Sequence, residues 1–444
     1  MRSLAPTSLL AAAAIAFGLA APRPAAAQDA VPGQVVVQYA SAPQPKVVQL
    51  PAGRTVPQAI HALRRDPAVQ YAVPNVIAHA DGFIPNDPGR GGPRGWQAMQ
   101  WNFLASTGVD APDGWSNLLA AGAPGGRGAL VAVLDTGVAY ENRGRFRRSP
   151  DFAVAQFAPG YDLVGHDAHP DDENGHGTFV AGVISERINN RRALTGLAYG
   201  AKIMPVRVLD DQGLGDAATI AQGIRFAARH HAQVINLSLE FDSSVPGSQI
   251  PEVLSAIRYA NRLGSLVVGA AGNEAMRIVA YPARANGVLS VGATTEHVCL
   301  ADYSNDGRDL DLVAPGGGAD AALDDDPHCH PAGRSGRDIF QLTFTSSPSR
   351  FGFPGGYEGT SMAAPHVAGV AALVIASGVI GRHPSPRALE QRLESTARDL
   401  GAPGYDQRYG FGLVQAGAAT KPTPAQAAAW RRAAARRAAR ARHA

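Results

Sequence analysis

The stretch Gly359-Thr360-Ser361-Met362-Ala363-Ala364-Pro365-His366 constrains this chain more than any other, because it runs without a break into the helix-like Val367-Ala368-Gly369-Val370-Ala371-Ala372-Leu373-Val374. Gly359 leaves room for a tight approach and places Ser361 on the first helical turn. There, unpaired backbone N–H groups and the helix dipole favour developing negative charge, as the surroundings of a nucleophile should. Pro365 lies close enough to the start that its missing N–H need not break the helix. Taken alone, Ser361 also reads as a plain helix cap.

Two further stretches bear on that choice. Leu130-Val131-Ala132-Val133-Leu134-Asp135-Thr136-Gly137 is a short apolar run ending in a carboxylate and a turn. It predicts a buried parallel strand with Asp135 at its C-terminal edge, where open α/β sheets place their ligands. Asn174-Gly175-His176-Gly177-Thr178-Phe179-Val180-Ala181-Gly182-Val183 sets a histidine between glycines at the start of a second small-residue helix. Singly, Asp135 is a turn former and His176 a structural or exposed residue. Together, in the order Asp, His, Ser, each at the mouth of an element, they supply an orienting carboxylate, a base and a nucleophile.

Asp-Thr-Gly at Asp135, His-Gly-Thr at His176 and the octet from Gly359 to His366 resemble the three signatures of the subtilisin-like serine proteases. The likeness runs over roughly residues 85–418, and Ala270-Ala271-Gly272-Asn273-Glu274 after the apolar Ser265-Leu266-Val267-Val268-Gly269 is a fourth match. The resemblance implies a triad of Asp135, His176 and Ser361, with Asn273 and the Ser361 N–H as oxyanion donors. It also implies that substrate adds as a strand along Gly213-Leu214-Gly215 and Leu237-Ser238-Leu239. Where the family usually has glycine after the Ser-Leu pair, this chain has Glu240 and then Phe241. With Glu274 beside Asn273, two carboxylates would flank the first pocket and favour Lys or Arg; two solvated loop glutamates are the alternative.

The apolar runs Lys202–Leu209, Val234–Leu239, Leu266–Ala270 and Val288–Gly292 alternate with helical stretches such as Thr219–His231 and Pro251–Leu263. That alternation predicts an α/β fold, a doubly wound, mostly parallel sheet with helices on both faces. The composition, 45% hydrophobic and 17% charged, excludes a disordered chain. The net charge of +3 gives no reason to expect a nucleic-acid partner.

Four segments follow in order. Residues 1–27 read as a signal peptide, with Arg2, an apolar run from Leu9 to Ala21 and an Ala25-Ala26-Ala27 cleavage site, so the chain is expected to be exported. Residues 28–80 hold strands at Gln34–Tyr39 and Val69–Val73 around a helix at Pro57–Arg65, a small α+β unit. Placed just before the protease, and with Val69-Gln70-Tyr71-Ala72-Val73-Pro74-Asn75, it resembles an inhibitory, folding-assisting pro-domain. The resemblance implies that Val76-Ile77-Ala78-His79-Ala80 occupies the substrate cleft. Residues 81–420 are the expected peptidase domain, beginning with an exposed, Arg-bearing loop at Gly89–Gly95 suited to processing. Residues 421–444 form a basic Ala/Arg-rich tail of strong helix formers, without which the formal charge would be +3 − 7 = −4. It is solvated or removable, or touches a polyanionic surface.

Cys299 and Cys329 are the only cysteines, which in an exported protein suggests one disulfide; His328-Cys329-His330 as a metal site has no accompanying ligand cluster. The family often binds calcium after the His-bearing helix, but here that loop is Ile188-Asn189-Asn190-Arg191-Arg192-Ala193, whose arginines should oppose a cation. Calcium elsewhere stays open, and Asp324-Asp325-Asp326 in the insertion Gly316–Gly356 reads as solvated. The chemistry itself needs no cofactor. The chain is therefore expected to be a secreted serine endopeptidase made as a self-processed precursor. A ligase passing the acyl group to amines and a non-catalytic binder of the same fold are the alternatives.

Overall fold

The computed structural model describes residues 30–51, 54–76, 83–92, 95–329 and 333–441. The expected signal peptide and the cleft-occupying segment from Ile77 onward lie outside them. The chain divides into two compact units, Met1–Asp81 and Gly82–Ala444.

In the first unit β1 (Ala30–Tyr39) is the middle strand, paired antiparallel with β2 (Lys46–Gln49) and β3 (Val69–Val76). Helix α1 (Val56–Leu63) starts at a capping box in which Thr55 accepts from the Gln58 N–H and Gln58 caps the Thr55 N–H in return. Val35, Val37, Ala59 and Ala72 form the small core. Strand β2 is an addition to the sequence reading. Its Lys-Val-Val-Gln is almost wholly exposed, so it has no alternating apolar face to betray it.

The second unit is built on β4 (Leu130–Asp135), β5 (Tyr161–Asp162), β6 (Lys202–Arg207), β7 (Val234–Leu237), β8 (Leu266–Ala270), β9 (Val288–Thr294) and β10 (Leu312–Pro315). They lie in the order β10-β9-β8-β7-β4-β6-β5, with every pair parallel. The chain leaves β4 for β6 on one side and returns to β7 on the other. Strand order therefore reverses at β4, and the crevice at its C-terminal end is where such sheets bind ligands.

Five helices accompany this sheet: α2 (Ala111–Ala121), α3 (His176–Ser185), α4 (Ala217–Arg229), α5 (Pro251–Arg262) and α6 (Thr360–Ser377). Successive residues of β4 serve opposite faces, as a strand's two-residue period requires. Val131 and Val133 join the core containing α3 and α6, while Ala132 and Leu134 join the one containing α4 and α5. Helix α6 is long and apolar enough to cross a membrane, yet 89% of it is buried within the protein, as the central helix of a large core. Its small residues allow close packing: a Cβ at Gly369 would lie 2.9 Å from Leu197 Cδ2.

The insertion is anchored rather than loose. Cys329 is disulfide-bonded to Cys299, with 4.9 Å between their Cα atoms and a separation of 30 residues. Closing a loop of that length removes unfolded-state entropy corresponding to about 3–4 kcal/mol in the chain-entropy account. A hairpin of β11 (Thr343–Ser347) and β12 (Arg350–Gly352) follows, and Thr343 Oγ1 donates to the Gly175 carbonyl at 2.5 Å, bracing the turn before His176. Helices α7 (Pro386–Ser395) and α8 (Ala416–Ala419) pack on α6, and α8 also on α2. The basic tail forms α9 (Pro424–Ala441) along α2, where Arg437 passes over Gly122 and Gln426 Nε2 donates to the Val379 carbonyl at 2.9 Å.

Candidate active site

Asp135 ends β4 with no exposed surface. Its Oδ1 accepts the Thr136 N–H at 2.8 Å and faces His176 Nδ1 at 2.8 Å. A carboxylate at Nδ1 holds the proton there and leaves Nε2 as the basic nitrogen. Burial lowers the pKa of His176, but the charge of Asp135, its hydrogen bond and the charge of Asp172 outweigh this and raise it above the ordinary histidine value.

Asp172 was not singled out by the sequence. Buried in the turn before α3, it accepts from Thr136 Oγ1 at 2.9 Å, the Asn174 and Gly175 N–H groups at 2.9 Å, the Thr178 N–H at 3.0 Å and Thr178 Oγ1 at 2.6 Å. It satisfies the orphan donors at the helix start and thereby sets where His176 emerges. The readable signal was an Asp followed by Asn and Gly, an Asx-turn pattern. The neighbouring glycine is also required, since a Cβ at Gly177 would meet the Gly137 carbonyl at 2.1 Å.

Ser361 is the second residue of α6, entered through Gly359 at φ 143°, a conformation that side chains disfavour. Pro365 has no N–H to give the Ser361 carbonyl. The Ser238 hydroxyl, just past β7, donates to that carbonyl at 2.7 Å instead. Ser361 Oγ in turn donates to the Ser238 carbonyl at 3.2 Å. The residue after the proline, His366, is fully buried: its Nδ1 faces the Met362 carbonyl at 2.8 Å and its Nε2 faces Asn102 Nδ2 at 2.7 Å. Burial lowers its pKa to about 4, so it is neutral and structural.

Asn273, after β8, accepts the Thr360 N–H at 2.7 Å and the Thr360 hydroxyl at 3.0 Å on Oδ1, which orients its Nδ2 outward. Nδ2 donates to Glu240 Oε1 at 3.2 Å and Oε2 at 3.1 Å, and the Asn273 N–H donates to Oε1 at 3.3 Å. A cleft of about 390 Å³ brings together His176, Ser361, Asn273, Gly213, Leu214, Gly215, Ser238, Leu239 and Glu240, with Thr136, Asn174 and Phe241 also on its walls. Leu237 and Glu274 are not among its lining residues. Leu237 is buried in the core beneath the sheet, and the exposed Glu274 accepts from the Ser243 N–H at 3.2 Å. Glu274 is thus engaged with the Ser243 N–H, and its charge still acts on Glu240.

The loop after α3 holds a different anionic feature. Asp87, Asp151 and Glu186 are each at most 1% exposed. Asp87 accepts the Asn189 and Asn190 N–H groups at 2.9 and 3.1 Å, and the Asn190 side chain donates to Asp151. Both Glu186 oxygens and Asp151 Oδ2 have no hydrogen-bond partner. Burial, then mutual repulsion, raises the pKa of Glu186, and burial that of Asp151. Arg191 and Arg192 are exposed. Among the described residues, the carboxylates whose oxygens converge within 4.8 Å are Asp311, Glu390 and Glu394, all partly exposed.

Comparison with known proteins agrees with this architecture. The subtilase family (peptidase S8) matches residues 126–412, and the fervidolysin N-terminal prodomain matches residues 42–75. The chain is 38% identical over 298 residues to a thermostable alkaline protease of Halalkalibacterium halodurans, covering 67% of this chain and 68% of that one. It is 33% identical over 355 residues to a thermophilic serine proteinase of Bacillus sp. strain AK1, covering 80% and 74%. Among solved structures, a protease from Pseudoalteromonas arctica PAMC 21717 superposes with a TM-score of 0.61 at 31% identity, covering 76% of this chain and 99% of that one. The chain belongs to the subtilase family: it is a serine endopeptidase made as a precursor with an N-terminal prodomain.

Proposed function

We propose that the enzyme hydrolyses peptide bonds through Asp135, His176 and Ser361. The observation that carries this reading is the 2.8 Å Asp135–His176 bond at the edge of a cleft that also contains Ser361 and Asn273. Ser361 Oγ turns from the Ser238 carbonyl towards His176 and attacks the substrate carbonyl, its proton passing to Nε2. Asp135 keeps the resulting imidazolium oriented and stabilised. The oxyanion takes hydrogen bonds from Asn273 Nδ2 and the Ser361 N–H, a first-turn donor with no intrahelical acceptor. His176 then returns the proton to the leaving amine, the acyl group stays on Ser361, and water reverses the steps. The peptide lies as an added strand between Gly213-Leu214-Gly215 and Ser238-Leu239.

In this reading residues 1–27 direct export, residues 28–80 act as folding aid and inhibitor, the enzyme processes itself, and residues 81–420 form the peptidase, with the basic tail held as α9. A structural calcium ion is assigned to the buried Asp151 and Glu186, whose unpartnered oxygens suit a hard cation. Ser361→Ala should accumulate as an uncleaved precursor retaining residues from 28 onward. Normal self-processing by that variant would remove Ser361 from the mechanism.

A further inference from the structure

The Asn273 side chain is already occupied by an anion belonging to the protein. Glu240 carries its carboxylate to both nitrogens of Asn273, at 3.1–3.3 Å. Thr360 fixes the other end of the amide, so Nδ2 cannot turn away from Glu240 without losing two hydrogen bonds. Hydrogen bonds to an ionised acceptor belong to the stronger class. We infer that Glu240 is a built-in competitor for the Asn273 oxyanion donor, displaced most readily by a substrate whose acyl-side residue carries a cationic side chain. The inference rests on the proposed role of Asn273.

The physical argument concerns what each state offers the carboxylate. In the free enzyme it has three N–H contacts. In the transition state a second anion, the oxyanion, takes a hydrogen bond from the same amide group, and two anions on one nitrogen repel each other in a partly buried cleft. No cation is among the groups that act on Glu240 in this structure. Burial raises its pKa, the Asn273 donors oppose that rise, and the charge of Glu274 adds to it. Glu240 lines the same cleft as Ser361 and Asn273, so the side chain on the carbon next to the attacked carbonyl comes within its reach. A Lys or Arg there supplies the missing cation as the oxyanion forms. An apolar side chain leaves the carboxylate unpaired. Competition with a neutral ground-state carbonyl is weaker, so the effect falls on kcat more than on KM.

The test uses mature enzyme as wild type, Glu240→Gln and Glu240→Ala, with active sites counted by a fluorophosphonate label. Substrates are matched peptides differing only in Leu or Lys before the scissile bond, and a peptidyl boronate ending in Leu supplies a tetrahedral anion. Both variants should raise kcat for the Leu substrate about tenfold, the change corresponding to about 1.4 kcal/mol of relieved competition. KM for Leu should move little, the boronate should bind more tightly by a similar factor, and the Lys-to-Leu ratio should fall. Fully labelled variants with unchanged or lower Leu kcat and boronate affinity overturn the inference alone. A wild type that the fluorophosphonate does not label refutes the nucleophile assignment beneath it.

Discussion

Ser238→Ala probes how a proline inside a core helix is accommodated next to the proposed nucleophile. The Ser238 hydroxyl donates to the Ser361 carbonyl at 2.7 Å and accepts from Asn236 Nδ2 at 2.9 Å. Removing it orphans one partly buried acceptor and one buried donor, Asn236 Nδ2, each worth about 1–3 kcal/mol when left unsatisfied. Part of that is recovered because the buried hydroxyl itself no longer needs partners, so the expected loss is about 2–4 kcal/mol. The donor is needed only because Pro365 cannot bond the Ser361 carbonyl. In a Pro365→Ala background the helix supplies that N–H, and the cost of Ser238→Ala should shrink by about 1–2 kcal/mol, a coupling typical of residues sharing a partner. Urea unfolding of the four proteins, all carrying Ser361→Ala to prevent autolysis, gives the cycle. If Ser238→Ala costs the same whether Pro365 is kept or replaced by alanine, the account of this helix start is refuted.

Asp135→Asn should lower kcat by about 10⁴, the figure known for this substitution in another serine protease, because an amide no longer enforces the Nδ1–H tautomer. In the wild type the raised pKa of His176 places the acid limb of kcat/KM above the ordinary histidine value, so activity should rise with pH through that limb; in the variant the limb should move lower, and a pH–rate profile of each checks both. For the buried carboxylates the direction also follows from sign. The folded pKa values of Asp151 and Glu186 are raised, so without a cation their contribution is full at acid pH and lost as pH climbs towards neutrality. Excess calcium should therefore slow thermal unfolding of the Ser361→Ala protein at about pH 8 and much less at about pH 5, while Glu186→Gln abolishes the difference. No calcium effect at the higher pH would argue that the pair holds protons, not a metal.

Much of the framework was legible because its signals are local. Asp135 ends an unbroken apolar run, and His176 and Ser361 come just after Gly175 and Gly359, whose backbone conformations side chains disfavour, so their places at element ends could be read directly. Strand β5 escaped because two residues are too few to show a period. Helix α2 was not read from the sequence; its Pro112 sits harmlessly in the first turn and its Gly114 makes room for Ala416. What could not be read were contacts between distant segments. Glu240 and Glu274 lie close to Asn273 in the chain or the fold alike, yet only the first turns into the cleft. In the loop after α3 only the arginines are conspicuous in sequence. In space they face solvent, and the carboxylates beneath come from three separate stretches.

The mechanism requires a covalent acyl intermediate on Ser361. Mature enzyme mixed with a slowly deacylated peptide ester, quenched in acid during turnover and digested, should yield a peptide spanning Ser361 heavier by the acyl mass. Under the same conditions His176→Ala should accumulate no such adduct within the same time. Acylation at another residue, or complete turnover with no adduct at any quench time and no burst of alcohol release, would contradict the mechanism.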